Sequence, residues 1–170
     1  MERLSLIELI HSKPCLVFGC GNPLFGDDGF GPEVVARLEQ RPDLPQHAAF
    51  LDVGTSIRDF LFDILLSPKK PNQIIIVDAA QRPGKHPGDV FEICIDDIDP
   101  KKTSDFSLHQ FPTTNMLKEL QANTAMDIRV LVGQIEYIPD AVAPGLSSAM
   151  ENAIPEACDR ILNMIGKEAA

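Results

Sequence analysis

The chain has 170 residues, 44% of them hydrophobic and 24% charged, with 15 Lys or Arg against 25 Asp or Glu and a net charge of −10. This length fits a single domain over residues 1–170, large enough to bury roughly 70% of its unfolded surface. The acidic balance argues against a nucleic-acid partner, and no apolar run reaches the ~18 residues a bilayer crossing needs, which argues against a membrane one.

The opening "MERLSLIELIHSKP" lacks the basic start and cleavage site of a signal peptide and reads as a short amphipathic helix. "CLVF" (Cys15–Phe18) is a short buried strand. A glycine-rich turn follows, "GCGNPLFGDDGFG". Pro32 suits the first turn of the next helix, near Gly29–Gln40, whose Val34, Val35 and Leu38 share one face. "AAFLDV" (Ala48–Val53) is a second strand. Ile57, Phe60, Leu61, Ile64 and Leu65 recur at helical spacing after a cap at Thr55 or Ser56. "QIIIVDAA" is the strongest strand, with four consecutive β-branched residues and Asp78 expected at its end. "DVFEICI" (Asp89–Ile95) alternates as an edge strand does, and a short helix runs from Thr113 or Thr114 to Ala122. "DIRVLVGQI" is the last strand, and "SSAMENAIPEACDRILNMIGK" is a closing helix expected to kink near Pro155. The alternation predicts a three-layer α/β/α sandwich around a mostly parallel, five-stranded twisted sheet with one antiparallel edge strand.

The four cysteines, Cys15, Cys20, Cys94 and Cys158, are scattered rather than paired as CxxC. They read as free thiols of a protein in the reducing cytoplasm. His11, His47 and His86 read as surface residues.

The glycine turn fits neither common nucleotide loop. Gly19 and Gly21 match the first two positions of a dinucleotide fingerprint, but Leu24 holds the third, and two aspartates stand where a phosphate must approach. No Lys-Ser/Thr follows to make a P-loop. One aspartate of the pair Asp27–Asp28 could cap the next helix; a second carboxylate beside it calls for a partner. Sites in open α/β sheets form beyond the carboxyl ends of the strands. Asp28, Asp78 and His109 ("SLHQ") all fall there, and two carboxylates with an imidazole suit a divalent metal. A strand-ending Asp is also a common turn residue and a loop His a common solvated one, so the pattern alone leaves both readings open.

"GCGNPLFGDDGFGPEVV", "DVGT", "IIIVDAA", "SLHQ" and "IEYIPDAVAPGLSSAMENAI" together resemble the nickel–iron hydrogenase maturation endopeptidases, nearly end to end. The "APGLS" segment is similar to the branch attached to deazaflavin-reducing hydrogenases of methanogens. The resemblance implies removal of a C-terminal extension from a hydrogenase large-subunit precursor after nickel insertion. It places the catalytic metal ligands on Asp28, Asp78 and His109, with Asp28 where the family often has Glu. Nickel would be supplied with the substrate, and cadmium or zinc could substitute. The family's "GGT" substrate-recognition loop corresponds to Val53-Gly54-Thr55, one glycine short. Gly19, Gly21, Asn22, Asp27, Gly29 and Gly31 are then structural parts of the loop, with Asp27 holding the helix start. Two alternatives use the same residues differently: a non-catalytic metallochaperone or assembly scaffold for the hydrogenase, and, from "GCGNP", a peptidyl-tRNA hydrolase-like esterase, which the acidic charge and "FGDDGFG" disfavour.

Overall fold

The computed structural model describes residues 5–98 and 111–166. Five strands form one sheet: β1 (Cys15–Cys20), β2 (Ala48–Gly54), β3 (Gln73–Ala80), β4 (Val90–Ile93) and β5 (Asp127–Gln134). Their order is β2-β1-β3-β5-β4. All neighbours are parallel except β4 with β5, which is antiparallel. Helix α1 (Leu6–Ser12) is closed by a reciprocal cap between Ser5 and Glu8. Helices α2 (Phe30–Glu39) and α5 (Ser148–Met164) share one core with one face of the sheet. α3 (Ile57–Leu66) and α4 (Phe111–Asn123) share a second core with the other face. This is the expected three-layer sandwich with its antiparallel edge.

Every residue of β1 and β3 is buried, because helices cover both faces of these central strands. The chain leaves β1 through α2 on one face and leaves β2 through α3 on the other. The direction of winding therefore reverses between β1 and β3, which opens a crevice above their carboxyl ends.

Several boundaries differ from the sequence reading. β1 runs two residues further, to Cys20, and β3 continues to Ala80, so Asp78 lies inside the strand rather than at its end. β4 is only Val90–Ile93, since the chain turns at Cys94 into a 3-10 turn that buries Ile95. α4 begins at Phe111, ahead of the expected threonines. Ser56 occupies the N-cap position of α3 without a side-chain cap bond. α5 runs unbroken through Pro155. All four cysteines are free, with Cys15, Cys20 and Cys158 buried and Cys94 exposed. His47 is half-buried rather than on the surface, and its Nε2 lies 2.7 Å from the Gly166 carbonyl.

α2 sits directly on the β1–β3 pair because glycine lets it. A Cβ on Gly31 would lie 2.2 Å from the Cys20 carbonyl oxygen and 2.4 Å from that of Val77. A Cβ on Gly19 would lie 2.5 Å from the Gly31 carbonyl oxygen. These partners are backbone and cannot rotate away. Gly31→Ala must lift α2 from the sheet and is expected to destabilise the protein by about 3 kcal/mol or more, measured by urea unfolding.

Candidate active site

The glycine turn becomes a 3-10 turn, Gly26–Gly29, that runs into α2. Its two aspartates point to different places. Asp27 is 1% exposed. One carboxylate oxygen accepts from the Ser147 backbone N–H at 2.6 Å. The other accepts from the Glu136 N–H at 2.8 Å, the Ser147 hydroxyl at 3.0 Å and the Tyr137 N–H at 3.4 Å. Ser147 in turn caps α5 by accepting from the Met150 N–H. The expectation that Asp27 caps α2 is therefore corrected: neither the 3-10 turn nor α2 has a side-chain cap bond. Asp27 is structural, but it anchors the β5–α5 connection, more than 100 residues away.

Asp28 is half-buried on the other side of the turn. Its Oδ2 accepts from the Asn22 N–H at 2.9 Å, while its Oδ1 is buried without a hydrogen-bond partner. Burial raises its pKa, against the lowering effect of the Asn22 N–H. Asn22 holds its own segment by accepting from the Leu24 N–H at 3.0 Å. Gly21 has a φ of +129°, and a Cβ there would overlap the Asp28 carbonyl oxygen. Gly29 touches Pro23 in the same manner. Gly21, Asn22 and Gly29 thus tightly hold the turn that carries Asp28.

Asp78 on β3 is 1% exposed, and its Oδ1 accepts from the Ala79 N–H at 2.8 Å. Gly19 pairs with Val77, which puts Asp78 level with Cys20 on the neighbouring strand. Burial pushes the Cys20 thiol well above its ordinary pKa, and the carboxylates of Asp78, Asp52 and Asp28 push it the same way. Aspartates from β1's turn, β2 and β3 thus all bear electrostatically on one buried thiol, whose ionisation burial and these charges disfavour. Asp52 went unread in the sequence. Its signal was an acid near the end of a strand that pairs with Gly19. Its Oδ1 accepts from the Gly54 N–H at 3.0 Å. Gly54, with φ +53°, accepts from the Gly21 N–H at 3.0 Å, which brings the Gly54–Thr55 corner against the glycine turn. His109 lies outside the described residues. Among the described residues, no three His, Cys, Asp or Glu side chains form a metal-holding group, and no helix is long and apolar enough to cross a membrane.

The family model of the hydrogenase maturation proteases matches residues 32–164. The chain belongs to this family. It is 36% identical over 160 residues to a Methanocaldococcus jannaschii protein provisionally named as a hydrogenase maturation protease, covering 93% of this chain and 100% of that one. It is 35% identical over 161 residues to the coenzyme F420 hydrogenase subunit delta of Methanothermobacter thermautotrophicus, covering 92% and 97%. Among solved structures, the hydrogenase maturating endopeptidase HybD of Escherichia coli superposes with a TM-score of 0.64 at 29% identity, covering 88% of this chain and 90% of that one. This member of the hydrogenase maturation proteases is therefore a hydrolase with the fold of that family.

The contrast between the aspartates can be checked by thermal unfolding. Asp27→Asn puts an amide NH₂ against N–H donors and is expected to cost about 2–4 kcal/mol. Asp28→Asn removes a charge that burial disfavours. Because the folded-state pKa of Asp28 is raised, its ionised form weakens the fold above the ordinary carboxylate range, and this effect fades as pH falls below it. Asp28→Asn is expected to unfold at neutral pH no earlier than the parent protein, with the difference narrowing near pH 4.

Proposed function

We propose that this hydrogenase maturation protease removes a C-terminal extension from a nickel–iron hydrogenase large-subunit precursor once nickel is in place, and that Asp28, Asp78 and His109 carry the reaction. The observation that carries this reading is the buried, unpartnered Oδ1 of Asp28, on the turn that leaves β1 at the reversal point of the sheet, where the neighbouring β3 carries Asp78. A buried carboxylate oxygen without a donor is costly unless a cation meets it. The donor set of two carboxylates and one imidazole fits a divalent transition metal, with nickel first and cadmium or zinc as substitutes.

Nickel is then part of the substrate, arriving on the precursor, and the three side chains read its presence. A metal held there would polarise the scissile carbonyl or make a bound water more acidic. The chain's own contribution is positional. The Asn22 N–H fixes one Asp28 oxygen and leaves the other without a donor. The Ala79 N–H fixes one Asp78 oxygen. Gly54 and Thr55 border the crevice from β2 and suit contact with the precursor chain. Hydrolysis adds water across one peptide bond, giving a new carboxylate on the trimmed subunit and a free amine on the released peptide.

The test is incubation with the precursor, with and without nickel, read by mass spectrometry for a short C-terminal fragment. The nickel-loaded form should be cut once and the empty form left intact. Asp28→Asn and Asp78→Asn should each slow trimming by more than the roughly 10–100-fold typical of losing a residue behind a metal ligand. Tight complex formation without trimming would favour the scaffold role instead.

A further inference from the structure

Six large hydrophobic side chains are exposed among the described residues, and three of them, Leu24, Tyr137 and Val142, lie on two loops beside the Asp28 crevice. Tyr137 is 58% exposed and Val142 63%. These loops are joined into one platform. Phe25 and Ala143 form a parallel bridge. The Gly26 N–H donates to the Ala143 carbonyl and the Ala143 N–H to the Leu24 carbonyl, both at 2.9 Å. A Cβ on Gly26 would lie 2.8 Å from Pro139 Cδ. The Asp27 carboxylate ties the same turn to the Tyr137 and Ser147 N–H groups. The apolar groups therefore stand on a braced surface, so little ordering cost attends their use in binding.

The two loops themselves carry charge of one sign, with Arg37 nearby beside Gly145 and Leu146. Residues 15–36 and 130–159, which contain both loops, include no Lys or Arg. Glu136 and Asp140 are exposed among the apolar groups. A second copy of the chain would bring the same acids to face these and carries a net charge of −10 itself, so like charges oppose self-association here.

We infer that Leu24, Tyr137 and Val142 form the surface that docks the hydrogenase precursor, through an apolar segment of that partner flanked by lysine or arginine. The inference rests on the protease reading above and adds how the substrate is held. Apolar contact supplies affinity at the centre, and the acidic rim selects the basic flank and speeds encounter.

The test uses the full-length protein and the nickel-loaded precursor in steady-state trimming assays over a range of salt. Leu24→Ser/Val142→Ser changes only exposed side chains, and matching thermal unfolding checks that the fold is kept. It should raise KM about tenfold or more, with a much smaller effect on kcat. Asp140→Lys should raise KM at low salt and flatten its salt dependence. Precursor binding is measured in parallel by biolayer interferometry. If the parent protein binds but does not cut, the protease reading fails, and about a tenfold loss of binding in the double variant still supports the docking surface. Unchanged KM and unchanged binding in that variant, or an effect confined to self-association in light scattering, overturns it.

Discussion

A buried carboxylate that accepts four hydrogen bonds is a rigid object, and the active end of this protein is assembled around one. Asp27 is sequestered from water, so its charge must be met by donors from the protein. The chain supplies three backbone N–H groups and a hydroxyl, all from the segment between β5 and α5. This one interaction fixes the 3-10 turn after β1 to the start of α5. The glycines complete the arrangement from below, letting α2 rest on the backbone of β1 and β3. The turn is held between the sheet and a distant loop and has little room to shift.

Against that fixed frame, the neighbouring residue has the opposite character. Asp28 keeps one oxygen on the Asn22 N–H and leaves the other buried without a donor. Two adjacent aspartates thus divide the work of the motif. One has its charge satisfied inside the fold, and the other keeps a buried oxygen without a donor. The crevice between β1 and β3 brings this turn toward the strands that carry Asp52 and Asp78, and all three carboxylates act on the Cys20 thiol. The fold spends stability at Asp28 and secures it at Asp27, a pattern common where a site must receive charge.

Much of this architecture was legible in the sequence, because it rests on local periodicity. Ile74 to Val77 can only be a strand covered on both faces, and the spacing of Ile57, Leu61 and Ile64 can only be a helix with one buried side. The identity of the two aspartates was harder. A cap is a local interaction and the obvious reading for Asp27, whereas its true partners lie 109 to 120 residues away. No pattern near "GDDG" reveals them. Asp52 was hidden for a similar reason, since its approach to the site depends on β2 pairing beside β1 rather than on any feature of "DVGT". The early end of β4 also reflects tertiary demand, because burying Ile95 in the core favours a turn over a longer strand.

The central claim is that the pair presents one oxygen of Asp28, and not Asp27, to a cation in the crevice. Paramagnetic nickel(II) titrated into the isotope-labelled protein and followed by backbone amide NMR tests this most directly. The account predicts selective broadening of the amides of Asn22 to Gly29 and Val77 to Ala80, lost in Asp28→Asn. Broadening that persists unchanged in Asp28→Asn, or that centres on His11 or His86 instead, would contradict it.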